Sequence, residues 1–185
     1  MQEQLERGQA SSRTDAVRTE FCAIVASQGA GAALAWLNAR TRFRFTGIYH
    51  VDPPLLRNVV LFDRENPTLN LSGEVAPLEE TYCALTWRLQ APFSTDDSRQ
   101  DSRLVNHAAR ESVISYAGVP LCLGSGQVWG SLCHFDVRPR LLPNAERALL
   151  ESFAPLLLDC VAASKENTDR SNAPHVAEPA DSRAR

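Results

Sequence analysis

Apolar and polar side chains alternate most regularly between residues 43 and 51. Phe43, Phe45, Gly47, Tyr49 and Val51 fall on one side of an extended chain, and the residues between them fall on the other. A period of two is typical of a β-strand. The DPP segment at residues 52–54 ends this strand, and the RNVVLFD segment at residues 57–63 is predicted to be its hairpin partner.

A second hairpin is predicted over residues 113–136. Two apolar runs, at residues 113–123 and 128–135, flank the turn Gly124-Ser125-Gly126-Gln127. Glycine supplies the positive φ angles that a tight turn needs. Because side chains alternate along a strand, the second run is expected to place Trp129, Ser131, Cys133 and Phe135 on one face.

Apolar residues recur at helical spacing in the remaining segments. A first helix is predicted from Thr14-Asp15 through residue 25, with a second piece at residues 32–39 beyond Gly29 and Gly31. Further helices are predicted at residues 78–89 and 104–112, and a leucine-rich stripe predicts a last helix after Pro143-Asn144. Strand pairs separated by helices indicate an α+β domain with an antiparallel sheet.

The ends of the chain differ in composition from its middle. Residues 1–13 are polar and are predicted to be a disordered N-terminal arm. Residues 14–163 form the predicted domain. From residue 164 the chain is polar, with mixed charge and two prolines, which predicts a disordered C-terminal tail at residues 164–185.

Composition excludes several classes of partner. The chain has 185 residues and a formal net charge of −3, so nucleic acid is not an expected partner. No apolar run approaches the roughly 20 residues that span a bilayer, and the N-terminus lacks the apolar core of a secretory signal, so no membrane partner is expected. The five cysteines are odd in number and scattered, which predicts free thiols and a cytoplasmic protein.

Three segments together resemble GAF domains, the small-molecule-sensing modules of signalling proteins. The YAGVPL run at residues 116–121, the glycine turn and the WGSLC run that leads to Asp136 resemble the closing hairpin of that family. The PLEETYC segment at residues 77–83, followed by PFSTDD at residues 92–97, resembles a helix start and strand of a bacterial subgroup. The leucine-rich helix after residues 144–146 is similar to the closing helix.

The resemblance covers roughly residues 15–163 and implies a fold and a class of function. It implies a GAF-like central antiparallel sheet, with terminal helices on one face and a ligand pocket on the other. It also implies a sensing or regulatory binding module in bacterial signalling, without catalytic activity of its own. The ligand or cofactor stays unidentified, since the NKFDE signature of cyclic-nucleotide-binding members is absent.

The sequence lacks the motifs that other GAF domains use for their chemistry. Bilin-binding members attach the chromophore through a Cys-His pair on a helix, whereas Cys133-His134 lies in a predicted strand. The cysteine motifs of the GAF-type reductase of free methionine sulfoxide are not found. Histidines 50, 107 and 134 lack the spacing of a zinc site, so no metal ligand is predicted.

Eight residues are candidates for the pocket wall: Tyr82, Cys83, Phe93, Asp96, Asp97, Tyr116, Trp129 and Cys133. Residues 82–101 are expected to close over the pocket. Core packing is the alternative for the aromatic and cysteine side chains. Capping and turn formation are the alternative for the aspartates.

Two other functions stay open. Cys83, Cys122 or Cys133 could act in a redox sensor or thiol enzyme, and a degenerate GAF domain could act only as a protein-interaction scaffold. The broad apolar stripe of the last helix predicts a homodimer through the terminal helices. A signalling partner protein is expected, because no output domain accompanies the predicted module.

Overall fold

One sheet of six strands organises the protein. The computed structural model describes residues 2–69 and 72–171, and the side chains of residues 15–69 and 72–162. The six strands are numbered in the order in which they occur along the chain. They are β1 (Phe45–Asp52), β2 (Leu55–Asp63), β3 (Val75–Pro77), β4 (Phe93–Thr95), β5 (Ser115–Cys122) and β6 (Val128–Asp136). Their order across the sheet is β3-β2-β1-β6-β5-β4, and every neighbouring pair is antiparallel.

Three α-helices and three short 3-10 helices complete the described part. The α-helices are α1 (Gln2–Ala39), α2 (Cys83–Leu89) and α3 (Asn144–Ser171). The 3-10 helices are Leu78–Glu80, Ser102–Leu104 and Ala108–Glu111. The predicted α+β architecture and both predicted hairpins are confirmed.

The helices extend further toward the chain ends than the sequence pattern predicts. α1 begins at Gln2, so residues 2–13 are helical where a disordered arm was expected. These residues include the good helix formers Gln, Glu, Leu and Arg, which favour a helix even without an apolar stripe. α3 runs to Ser171, past the predicted start of the tail, and residues 172–185 lie outside the described residues.

The terminal helices pack on one face of the sheet. Ile48, Val119, Leu121 and Leu132 point from the strands toward Phe21 and Leu34 of α1 and Leu150, Phe153 and Leu157 of α3, and all are buried. The rings of Phe21 and Phe153 stack with centroids 4.1 Å apart. This layer is the larger hydrophobic core, and it joins the two ends of the domain across the middle of the sheet.

The opposite face carries a second core. Val51, Leu56, Tyr116 and Cys133 point from the strands toward residues of the connecting segments, among them Leu78, Tyr82, Leu104 and Ala109, and Phe93 of β4 belongs to the same cluster. These connecting segments are short, and they cover the sheet incompletely. A cavity remains between them and the strands.

Helix α1 also has the dimensions of a membrane span. By length and composition alone, Asp15–Ala39 could cross a bilayer, with a mean hydropathy of 1.3. In the structure Phe21, Leu34 and Leu37 of this helix are buried in the core, and Gly29 interrupts its helical geometry with a φ of 79°. In the structure 22% of this apolar window is buried, so core packing accounts for part of its apolar character, and the absence of a membrane partner stays a prediction.

A buried polar network fixes the end of α1 to the sheet. The Asn38 side-chain amide donates to the Thr46 hydroxyl (2.8 Å), which lies 2.7 Å from Nδ1 of His134. The guanidinium of Arg64 donates to the amide oxygen of Asn38 (2.8 Å). Burial, and secondarily the charge of Arg64, lowers the pKa of His134 to about 3, so this histidine is neutral.

Candidate functional site

The cavity on the second face of the sheet has a volume of about 250 Å³. Its floor comes from the strands and its roof from the connecting segments. The residues that line it are Tyr49, Leu56, Asn58, Glu74, Val75, Ala76, Glu80, Thr81, Tyr82, Cys83, Ala109, Ser112, Val113, Tyr116, Cys133 and Phe135. The exposed members, among them Glu74, Glu80 and Ser112, mark its mouth.

The strand alternation explains the floor. Tyr49 and Cys133 lie on neighbouring strands, β1 and β6, and face the same side, as do Tyr116 and Phe135, which pair directly between β5 and β6. Tyr49 and Phe135 also pack ring against ring at 6.3 Å. The floor is therefore aromatic and apolar at the centre of the sheet.

A break in the predicted helix at residues 78–89 forms part of the roof. The 3-10 helix Leu78–Glu80 ends at Thr81, whose backbone is extended (φ −125°, ψ 151°) and whose hydroxyl donates to the Leu78 carbonyl (2.8 Å). α2 then begins at Cys83. Because the chain changes direction at Thr81, the side chains of Tyr82 and Cys83 come to line the cavity.

Tyr116 joins the floor to the roof. Its hydroxyl lies 3.2 Å from the Thr86 hydroxyl and donates to the Cys83 sulfur at 3.5 Å. Burial raises the pKa of Tyr116 well above its ordinary value. A neutral phenol that bonds both α2 residues fixes the helix over the sheet.

Cys83 and Cys133 both line the cavity, and both side chains are buried. The neighbouring Cys133 thiol, and after it the Ser131 and Tyr116 hydroxyls, lower the pKa of Cys83 because they stabilise its thiolate. Burial raises the pKa of Cys133 well above its ordinary value. The Tyr116 hydroxyl donates to the Cys83 sulfur, so the thiolate of Cys83 would have a hydrogen-bond donor beside it.

The structure brings four of the eight predicted pocket residues together around the cavity: Tyr82, Cys83, Tyr116 and Cys133. Ligand contact at these residues stays a prediction. Phe93 is buried behind them, with its ring 6.3 Å from those of both Tyr82 and Tyr116, and does not belong to the lining. Of the segment 82–101 that was expected to close the pocket, only Tyr82 and Cys83 line the cavity.

Trp129 lies on the other face of the sheet, contrary to the face predicted from alternation. Cys122 pairs with Val128 and Leu121 pairs with Gly130, so Trp129 is the additional residue of a β-bulge. Its ring packs 4.5 Å from that of His50 and contacts the core beneath the terminal helices. The bulge reverses the direction of this side chain relative to Ser131, Cys133 and Phe135.

Asp96 and Asp97 lie at a separate, open and polar groove. Ser94, Asp101, Arg103 and Arg147 also line this groove. Asp97 accepts two hydrogen bonds from the guanidinium of Arg99, both at 2.9 Å, and Asp101 caps the 3-10 helix that follows it. Arg99 holds the pKa of Asp97 below its ordinary value, at about 2. Ion pairing and capping account for Asp97 and Asp101.

The histidines are dispersed. His134 lies in the polar network on the terminal-helix face, His50 packs on Trp129, and the tilted ring of His107 packs against Tyr82 with centroids 4.6 Å apart. Among the described residues, no group of three or more His, Cys, Asp or Glu side chains could hold a metal ion.

Sequence reasoning missed the polar part of the cavity wall. Asn58 follows Arg57 inside the otherwise apolar β2, and a second bulge, which passes over Val59, turns Asn58 toward the cavity. Glu74 precedes β3, a strand that the loop composition did not reveal. Glu80 lies in the segment predicted to be a helix. The polar Arg57-Asn58 pair inside an apolar strand was the signal available in the sequence.

Comparison with solved structures identifies the fold. The GAF domain of a phosphoenolpyruvate-protein phosphotransferase from Acinetobacter superposes with a TM-score of 0.66 at 15% identity, covering 85% of this chain and 98% of that one. A free methionine-R-sulfoxide reductase from Neisseria meningitidis, solved with its substrate, gives 0.59 at 19% identity, with 80% and 88% covered. The chromophore-binding domain of a bacteriophytochrome from R. palustris gives 0.63 at 10% identity, with 86% and 63% covered.

These identities are low, so the likeness shows the fold and leaves the activity open. No curated protein matches the chain in sequence. The sequence does match the GAF domain family over residues 14–157, which is well over half of the chain. The six-stranded sheet with terminal helices on one face and a cavity on the other is the architecture that the resemblance implied. The chain therefore belongs to the GAF domain family.

Proposed function

We propose that this protein is a sensor or regulatory module that binds a small molecule in the cavity beneath the segments at residues 78–83 and 109–113. The observation that carries the proposal is the cavity itself, about 250 Å³ in volume, with an aromatic floor and a few polar groups at its mouth. Ligand pockets typically have volumes of about 300–1,000 Å³ and this mixture of apolar wall and few polar groups. The volume favours a small metabolite.

The proposed module binds its ligand and does not catalyse a reaction. The ionisable side chains that line the cavity are carboxylates at its mouth and thiols and phenols at its wall. Burial raises the pKa values of Tyr49 and Tyr116, which removes them as bases near neutral pH. This arrangement supports binding by shape and polarity.

A thermal-shift screen of small metabolites tests the proposal. A ligand that binds only the folded state must raise the melting temperature. At a ligand concentration a hundred times its Kd, the free energy of unfolding increases by about 2.7 kcal/mol. Val113→Trp places a large ring in the cavity wall and should abolish the shift. Val105→Trp adds the same ring at an exposed position outside the cavity and should leave it unchanged.

Two outcomes would contradict the proposal. If no compound raises the melting temperature, the scaffold function gains support. If a compound raises it equally in the wild type and in Val113→Trp, the ligand binds elsewhere. Native mass spectrometry and an absorption spectrum of freshly purified protein would detect a ligand that is retained during purification.

A redox sensor is the second candidate, and the placement of Cys83 and Cys133 in the same cavity wall and core cluster favours it. In the proposed step two thiols and one peroxide give one disulfide, one alcohol or water and one further water. The two S–H bonds and the O–O bond break, the S–S bond forms, and the peroxide is reduced. The Cys83 thiolate would attack the peroxide first, because the Tyr116 hydroxyl donates a hydrogen bond to its sulfur and stabilises it.

Peptide mapping tests the redox candidate in a variant that keeps only this pair, with Cys22, Cys122 and Cys160 replaced by serine. Hydrogen peroxide should produce a Cys83–Cys133 cross-linked peptide that reduction removes. The matched variant with Cys133→Ser added should give no cross-link. If both thiols are still alkylated after peroxide treatment and unfolding, the candidate fails.

The homodimer, the signalling partner and the cytoplasmic location stay predictions. α3 uses its apolar stripe against α1 and the sheet, as Leu150, Phe153, Leu157 and Val161 are all buried in the core. The stripe that motivated the homodimer is therefore accounted for within one copy over these residues. A monomer in light scattering would contradict the homodimer prediction.

A further inference from the structure

The charged residues that line the cavity have one sign. Glu74 and Glu80 both lie at its mouth, and among the described residues no arginine, lysine or histidine lines it. Neither carboxylate forms an ion pair with a side chain that the structure describes. The neighbouring Glu79 differs, because it pairs with Arg88 and lies outside the lining. The cavity mouth therefore carries uncompensated negative charge.

The wall behind this mouth is rich in aromatic rings. Tyr49, Tyr82, Tyr116 and Phe135 line the cavity, and Tyr49 and Phe135 pack against each other. The negative face of an aromatic ring attracts a cation within about 6 Å of its centre. Burial is the chief cause that raises the pKa of Tyr49 well above its ordinary value, and the charges of Cys133, Cys83 and, last, Glu74 act in the same direction.

We propose that the cavity takes a small organic cation, an alkylammonium or arylalkylammonium, with its charge at the Glu74 and Glu80 rim and its apolar body against the aromatic wall. This inference rests on the proposed function, since it names the ligand class of the same cavity. Anionic ligands meet no positive partner among the described lining residues and would approach two carboxylates. A buried anion without a partner is strongly disfavoured.

Calorimetric titration with two matched probes tests this inference. Phenethylammonium and hydrocinnamate have the same ring and a similar chain, but opposite charges. Only the cation should bind the wild-type protein. The Glu74→Gln/Glu80→Gln variant keeps the side-chain shape and should bind it roughly tenfold more weakly, as expected when a charge-assisted contact is lost. Glu79→Gln, the control at the adjacent paired residue, should bind it as the wild type does.

The outcomes show whether the cation inference fails alone or together with the function on which it rests. If hydrocinnamate binds and phenethylammonium does not, the cavity is a ligand site and the cation inference is wrong. If the cation binds equally well to the wild type and to Glu74→Gln/Glu80→Gln, the acidic rim does not select it, and the inference is also wrong. If neither probe binds and the metabolite screen also finds no ligand, the proposed function fails with it.

Discussion

The hydroxyl of Tyr116 lies directly over Gly118, two residues further along β5. A Cβ added at Gly118 would be 2.1 Å from the Tyr116 hydroxyl oxygen and 2.5 Å from the ring carbon that bears it. Side chains at i and i+2 point to the same face of a strand, so this ring has room to lean along β5 only because residue 118 has no side chain. The glycine therefore sets the position of the hydroxyl that reaches Thr86 and Cys83.

Gly118→Ala is expected to destabilise the protein by about 1–3 kcal/mol, the usual cost of overpacking a core. The Tyr116 ring must move, and its bonds to α2 must lengthen. Gly31→Ala is the matched control, because a Cβ there meets nothing within 4 Å and alanine favours a helix over glycine by roughly 1 kcal/mol. Urea unfolding should show opposite signs for the two variants. A neutral Gly118→Ala would mean that the ring is free to move.

Gly130→Ala is expected to be the more damaging strand substitution, costing about 3 kcal/mol. An added Cβ would lie 2.0 Å from the backbone carbonyl oxygen of Tyr49, which cannot rotate away as a side chain can. Relief would require β1 and β6 to separate at the centre of the sheet. Gly124→Ala in the hairpin turn, where nothing lies within 4 Å of the added Cβ, should stay within about 0.5 kcal/mol of the wild type. Equal effects in thermal unfolding would contradict the close approach.

Much of the fold could be predicted because it depends on local pattern. The alternation at residues 43–51 and the glycine turn at residues 124–126 gave both hairpins, and the apolar spacing of the terminal helices gave the larger core. The position of Trp129 could not be predicted this way, because a bulge depends on which residues pair across β5 and β6. Gly130 beside it was the available hint, since a glycine inside a strand often marks a bulge or a close approach.

The candidate site was predictable in its apolar half only. Tyr116 was a candidate as an aromatic residue and Cys133 as a thiol on one face of the hairpin, although alternation alone left open which face lines the pocket; Tyr82 and Cys83 lie in a segment identified by resemblance. Glu74 reaches the cavity because β3 adds to the edge of β2, a pairing of three residues with no periodic signal of its own. Asp96 and Asp97 were predicted to line the pocket because of their place in the chain. The turn at residues 95–101 instead places them at a separate groove.

The ion pair between Arg44 and Asp63 should contribute more to the free energy of unfolding than the surface pair between Arg57 and Asp52. Asp63 is only 2% exposed and accepts two bonds from the Arg44 guanidinium, at 2.9 and 2.8 Å, which hold its pKa well below its ordinary value. Asp63→Asn is expected to cost about 2 kcal/mol in urea unfolding. Asp52 is 54% exposed, and Asp52→Asn should change stability by less than about 0.5 kcal/mol. Equal effects would show that the Asp63 pair is not desolvated.

The buried, neutral His134 should make stability fall as the solution is acidified. Its pKa is about 3 in the folded protein and 6.5 as an ordinary value, so between these pH values the unfolded chain binds more protons. Stability from this group is fully present above pH 6.5 and decreases toward pH 3, by about 2 kcal/mol between pH 6.5 and 4.5. Asp63 acts in the same direction, but only as the pH falls below about 4, its ordinary range.

His134→Gln tests this assignment, because glutamine can still bond the Thr46 hydroxyl and does not titrate. Urea unfolding at pH 6.5 and pH 4.5 should show a smaller loss of stability for the variant than for the wild type, whatever its stability at neutral pH. His107→Gln is the control: burial lowers the pKa of His107 as well, but that ring is only partly buried, so its removal should change the pH dependence less. If His134→Gln keeps the full wild-type dependence, the acid sensitivity arises elsewhere, and the Asn38–Thr46–His134 network tolerates a charge.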